Sequence, residues 1–99
     1  MNTEIKALHF TLDEEQKDYI QKKIERIRNA ENMIVDFRVT MSKEAAEYSA
    51  ESTLNFKWGV QAHVKESAYD VLQAVDKMLD SLRTKITKEK EKLEQRSRL

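Results

Sequence analysis

Cysteine and proline are absent from this chain of 99 residues, and Gly59 is its only glycine. Without cysteine there are no disulfides, no thiolate nucleophile and no Cys-ligated metal site. Without proline, and with one glycine, there are no Pro- or Gly-rich linkers, no phosphate-cradling glycine loop and no dinucleotide fingerprint. No apolar run approaches the roughly 20 residues of a membrane-spanning helix. The opening MNTEIKALHF lacks the basic-then-apolar order of a secretory signal, so a cytoplasmic protein is expected. Net charge is missing too: 18 Lys and Arg balance 18 Asp and Glu. Bulk attraction to a polyanion is therefore excluded, and any nucleic-acid binding must come from local sorting of charge.

Charge itself is plentiful. Charged residues make up 36% of the chain, against about a quarter in ordinary domains, so the core must come from a few well-placed apolar stripes. There is no internal repeat and no compositional boundary. One domain over residues 1–99 is expected.

Residues 3 to 10, with Ile5, Leu8 and Phe10 apolar, predict a first strand. Helix-start chemistry follows, with Thr11 and Glu14, or Asp13 and Gln16, each able to form a capping box. Asp13, Glu14 and Glu15 also suit the positive end of a helix dipole. Tyr19, Ile20, Ile24 and Ile27 then mark one face of a helix over residues 13 to 29. In residues 33 to 41, Val35, Phe37 and Val39 alternate with Asp36, Arg38 and Thr40, which is the period of a half-buried strand. SKEAAE reads as a polar connection. Residues 48 to 56 alternate again, with Tyr48, Ala50, Ser52, Leu54 and Phe56 on one face. Lys57-Trp58-Gly59 supplies a turn, and Val60, Ala62 and Val64 a fourth strand over residues 60 to 65. Ser67 with Asp70 offers a cap for a second helix.

The predicted fold is α+β, in the order β-α-β-β-β-α. A four-stranded sheet carries both helices on one face, as in double-stranded-RNA-binding domains, and its three later strands form antiparallel hairpins. The opposite face, with Arg38, Glu51, Thr53, Gln61 or His63, looks toward water or a partner.

The second helix is the most informative stretch. Ala68, Leu72, Val75, Leu79, Leu82 and Ile86 recur in steps of four and three, one buried stripe of a helix. At about 100° per residue, Lys77, Lys88 and Lys92 fall nearly opposite that stripe, with Lys85 and Arg96 on one shoulder. Asp76, Asp80, Glu91 and Glu94 fall on the other. Beyond Ile86 the stripe stops apart from Leu93, yet KEKEKLEQ is still strongly helix-forming. The helix end is expected to overhang the body and carry a cationic ridge able to track a phosphate backbone. The same composition also suits a solvated face held by i,i+4 ion pairs.

Catalytic and metal signals are missing. His9 and His63, placed in different strands, lack a third ligand. The serines sit in no nucleophile motif, and the acids at 13 to 15 are explained by a helix start. No enzyme, cofactor, metal or small-molecule substrate is expected. Trp58 at a hairpin tip can stack a base or anchor a partner, or equally fold back over the sheet edge.

Several stretches carry a resemblance: the strand-helix opening, VTMSKE at 39 to 44, AEST at 50 to 53, and above all AVDKMLDSLRTKITKEKEKL at 74 to 93. The last is similar to an A-I-D-x-x-x-D-K-L-x-x-Q-x-x-K-x-K-x-K signature. Over nearly its whole length the chain resembles the bacterial ribosome hibernation-promoting factors and ribosome-associated inhibitors, once described as sigma-factor modulation proteins, in their short form. The resemblance implies a non-catalytic factor in the channel between head and body of the small ribosomal subunit, where it covers the messenger and transfer RNA sites. The protein would be a monomer away from the ribosome and touch rRNA there, silencing translation under stress. Matching positions are Lys88, Lys90 and Lys92 of the K-x-K-x-K run, with Lys23 and Arg26 on the first helix. Helical geometry places Lys22 on the same flank as Lys23 and Arg26. With Lys77 and Lys85 of the ridge, these form the candidate RNA-binding set. The alternative is a protein-interaction module that pairs through its overhanging helix.

Overall fold

Seven elements follow one another in the computed structural model, which describes residues 1–97; the expected domain extends to Leu99, outside the described residues. They are β1 (Asn2–Leu8), α1 (Glu14–Glu25), a 3-10 helix (Arg26–Met33), β2 (Ile34–Glu44), β3 (Glu47–Phe56), β4 (Gln61–Ala68) and α2 (Val71–Ser97). The four strands form one sheet in the order β1-β2-β3-β4. β1 runs parallel to β2, which the intervening α1 crossover makes possible, and the remaining pairs are antiparallel. Both helices bury their apolar faces against the same side of the sheet. This is the α+β architecture expected from the sequence.

Local chemistry explains most boundaries. Of the two capping boxes on offer, the second forms: the Asp13 carboxylate accepts from the Gln16 backbone N–H at 2.8 Å, and the Gln16 side chain accepts from the Asp13 N–H at 3.0 Å. α1 buries Ile20 and Ile24 but ends at Glu25, four residues short of the predicted 29. From Arg26 the chain tightens into 3-10 geometry. The Arg26 N–H already bonds back to Lys23, three residues away, and Asn29 and Asn32 are weak formers of regular helix. The strand expected over residues 3 to 10 stops at Leu8, because His9 turns the chain with φ of +68°. His9 therefore lies beyond the strand rather than in it.

β2 departs from simple alternation. Its register with β3 slips between Ile34 and Asp36, so Val35 occupies a bulge and points outward, 47% exposed. Ile34, Phe37, Val39 and Met41 fill the inner face instead. The predicted SKEAAE connection shrinks to Ala45 and Ala46, since β2 and β3 pair as far as Glu44 and Glu47. Ala45 takes the positive φ of +54° that this tight turn requires. At the other hairpin Gly59 adopts φ of +88°, as its place in the turn predicts.

β4 runs three residues past its predicted end, to Ala68. Ser67 is consequently in the strand, and Asp70 alone caps α2, its carboxylate accepting from the Leu72 N–H at 2.7 Å. Ala68 joins the core from the sheet rather than from the helix. The helical stripe is correspondingly wider than the sequence indicated: Val71, Ala74, Val75, Met78, Leu79 and Leu82 are buried, with Leu72 and Ile86 at its margin.

Candidate nucleic-acid interface

The two helices meet through a polar clasp at the start of α2. The Tyr19 hydroxyl donates to the Asp76 carboxylate at 2.9 Å, and Lys23 Nζ lies 3.7 Å from the same group and 5.3 Å from the centre of the Tyr19 ring. Lys23 is thus half-buried and neutralised within the fold. A little further along α2, Asp80 lies 3.9 Å from Arg83. Two of the four acids of the shoulder inferred from the sequence, Asp76 and Asp80, thus have basic partners within the fold.

The C-terminal half of α2 has the opposite character. Among the described residues Lys22, Arg26, Lys85, Lys88 and Lys90 are exposed and form no ion pair. Lys92 is paired only with Glu89, at 3.7 Å. In a chain with no net charge, this half of α2 carries more basic than acidic residues, with Glu89, Glu91 and Glu94 set among its lysines.

Two grooves run along that end. Lys85, Lys88 and Lys92 line one of about 230 Å³ with Phe56, Val60, Gln61 and Ala62, between α2 and the β3-β4 hairpin. Arg26 and Lys90 line the other, about 450 Å³, between the 3-10 helix and α2. Lys22 sits one turn before Arg26 on α1. Lys77 stands apart: it lies roughly 16 Å before Lys88 along the axis at 1.5 Å per residue, and its ammonium donates to the Ser67 carbonyl at 3.2 Å. The structure thus brings together Lys85, Lys88 and Lys92, and separately Arg26 and Lys90, while Lys23 and Lys77 are engaged elsewhere. Arg83, outside the sequence candidates, lines the second groove. Its spacing of seven from Lys90 was the available signal, since residues two turns apart share a face.

The aromatic candidate has a structural role. Trp58 stacks on Phe56 with ring centres 5.0 Å apart and donates its indole N–H to Glu89 at 3.0 Å. It folds over the sheet edge, with one ring face covered by Phe56.

The outer sheet face is polar and internally matched. His63 lies 3.2 Å from Glu51, Asn55 donates to Asp36 at 2.6 Å, and Glu4 is flanked by Lys6 and Arg38. The hydrogen bond and charge of Lys6, with the charge of Arg38, hold the exposed Glu4 carboxyl below its ordinary range. Among the described residues no three His, Cys, Asp or Glu are grouped to hold a metal, and no helix is long and apolar enough to cross a membrane.

The chain is thus a four-stranded α+β layer with both helices on one face and a group of exposed cations toward one end of those helices. The chain belongs to the family described as Sigma 54 modulation protein / S30EA ribosomal protein, whose model matches residues 3–94. That family is one of ribosome-associated factors, not of enzymes. In fold the chain is similar to the Protein Y N-terminal domain of Thermus thermophilus, with 22% identity and a TM-score of 0.75, covering 89% of this chain and 98% of that one. It is likewise similar to a ribosomal subunit interface protein from Coxiella burnetii, with 15% identity and a TM-score of 0.81, covering 92% and 99%. No curated protein matches in sequence.

Proposed function

We propose that this protein is a cytoplasmic ribosome hibernation factor: it binds the small subunit in its decoding channel and silences translation by occupying the space of messenger and transfer RNA. The observation that carries this reading is the segregation of charge. Asp76, Asp80, Glu14 and Glu25 lie against Lys23, Arg83, Lys17 and Arg28, while Lys22, Arg26, Lys85, Lys88 and Lys90 are exposed without an ion pair among the described residues. Unmatched cations on rigid helices contact phosphates and fix position without reading sequence. Family membership supplies the ribosome as the polyanion, and the relative from Coxiella is itself a subunit interface protein.

Occlusion needs no nucleotide, metal or turnover. Inhibition should therefore saturate at one protein per ribosome. Helices enter the deep, narrow groove of duplex RNA poorly, so recognition rests on the folded shape of the subunit.

The test is sedimentation of the protein with purified small subunits, with and without transfer RNA, across a salt series. Expected are stoichiometric binding, competition by transfer RNA and a steep loss of affinity with salt. Equal affinity for an arbitrary RNA duplex, or indifference to transfer RNA, would overturn the reading. Pairing through the helix end predicts salt-insensitive self-association instead. That end offers only Leu93 as an apolar residue between 90 and 95, too little for a helical seam.

A further inference from the structure

The 3-10 helix is the least expected element of the fold, and its geometry has a chemical consequence. Such helices have three residues per turn, so positions i, i+3 and i+6 eclipse one another, and runs beyond three or four residues are uncommon. Here the run covers eight residues, Arg26–Met33. It therefore sorts the segment into straight rows. Arg26, Asn29 and Asn32 form a polar row, and Ile27, Ala30 and Met33 an apolar one. In an α-helix each row would drift by about 60° per step. The third row, Arg28 and Glu31, does not line the groove, and Arg28 pairs with Glu25 of α1 at 3.1 Å.

Both the polar and the apolar row line the 450 Å³ groove against α2. From the other wall come Arg83, Ile86, Thr87 and Lys90, which share one helical face by their spacing of three, four and seven. The groove thus has an apolar floor, two amide side chains along one side, and three cations at its rim. Arg26 and Lys90 have no ion-pair partner among the described residues, and Arg83 has only the long contact to Asp80. Floor and rim call for different halves of one ligand. The apolar floor suits a flat ring, and an Arg guanidinium plane can stack on it. Each Asn amide presents a donor and an acceptor to a ring edge. The rim suits a phosphate held by charge-assisted hydrogen bonds. The volume lies within the range of small-ligand sites.

We infer that the groove between the 3-10 helix and α2 binds one nucleoside monophosphate unit, its base on the Ile27–Met33–Ile86 floor and its phosphate among Arg26, Arg83 and Lys90. The unit can come from an unstacked nucleotide of an RNA strand or from a free nucleotide. The first source rests on the ribosome-binding reading above, and the second does not.

Methyl and amide NMR titration of the full chain tests this with the four nucleoside 5′-monophosphates, with single-stranded tetranucleotides and with inorganic phosphate. Expected are saturable shifts at Ile27, Ala30, Met33 and Ile86 with nucleotide, and shifts restricted to the rim with phosphate. Combining Arg83→Gln with Asn32→Ala should weaken nucleotide binding about tenfold or more, as loss of one charge-assisted contact implies. Both positions are surface-exposed apart from their groove contacts, so the variant should keep its native spectrum; Arg83→Lys should restore part of the affinity. Tighter binding of the tetranucleotide identifies a strand nucleotide, and equal binding a free one. Shifts that do not saturate with any nucleotide, or that the variant leaves unchanged, would overturn the site even if small subunits still sediment with the protein. The reverse pattern, saturable nucleotide binding without subunit binding, would sink the ribosome reading and leave the groove standing.

Discussion

The indole of Trp58 and the carboxylate of Glu89 are joined by a 3.0 Å hydrogen bond across the end of the molecule. Glu89 is only 8% exposed although it belongs to the charged KEKEKLEQ run. Together they fasten α2 to the β3-β4 hairpin one turn beyond Ile86. This bond holds Lys85, Lys88 and Lys92 against the hairpin, because Glu89 lines the same groove as these three lysines.

Trp58→Phe keeps the ring on Phe56 but leaves the buried Glu89 carboxylate with only the 3.7 Å contact to Lys92. Removing one partner of such a bond costs about 1–3 kcal/mol. Urea unfolding should show that loss, and hydrogen exchange should speed up at the amides of residues 88 to 93 before elsewhere. Unchanged exchange there would show that the bond does not anchor the helix end.

Leu79→Ala and Leu82→Ala should each cost about 2–5 kcal/mol, since both side chains are enclosed by the sheet and leave a cavity. Leu72→Ala, at the margin of the stripe, should cost clearly less. A comparable loss at all three positions, measured by chemical denaturation, would contradict the assigned face of α2.

Ser52 presents a different situation. Its hydroxyl is buried on the inner sheet face without a hydrogen-bond partner among the described residues. Ser52→Ala removes a desolvated polar atom and should be neutral or stabilising by up to about 1–2 kcal/mol. A marked loss of stability would mean that the hydroxyl has a partner, such as an internal water.

Ala45 is held at φ of +54° in the β2-β3 turn, where a Cβ is unfavourable by roughly 1 kcal/mol or more. Ala45→Gly should raise the melting temperature by a few degrees, the scale on which about 1 kcal/mol acts in a domain of this size. Gly59→Ala, at φ of +88°, should lower it. The reverse pattern, a fall for Ala45→Gly and a rise for Gly59→Ala, would place the effect in the unfolded chain instead.

What the sequence disclosed and what it concealed follow physical lines. Periodicity exposed the element order, the core positions Ile20, Ile24, Leu54 and Leu79, and the glycine turn, because each is a local pattern. The outward Val35 was hidden because a bulge adds one residue without changing composition. The 3-10 segment was hidden because Ile24 and Ile27 fit either helix type. Lys23 looks like any surface lysine until the fold brings Asp76, 53 positions later, to 3.7 Å. Glu89 likewise reads as solvated until the hairpin delivers Trp58. Charge identity is written in the sequence; charge pairing is made by the fold.

The last prediction separates the two sets of cations. Lys85 and Lys88 are exposed and unpaired among the described residues, and replacing them spares the Lys92–Glu89 contact. Lys85→Gln with Lys88→Gln should leave helix content and melting nearly unchanged, because exposed substitutions rarely move stability by more than about 0.5 kcal/mol. If both contact phosphates, the slope of log affinity for small subunits against log salt should fall by roughly 1 for each lysine. Lys23→Gln should do the opposite: it breaks the clasp with Asp76 and Tyr19, so stability should fall while the salt slope stays the same. Lys77→Gln, at the far end of α2, should change neither strongly. Binding that keeps its full salt dependence without Lys85 and Lys88, or loses it without Lys23, would move the interface from the C-terminal half of α2 to the junction between the helices.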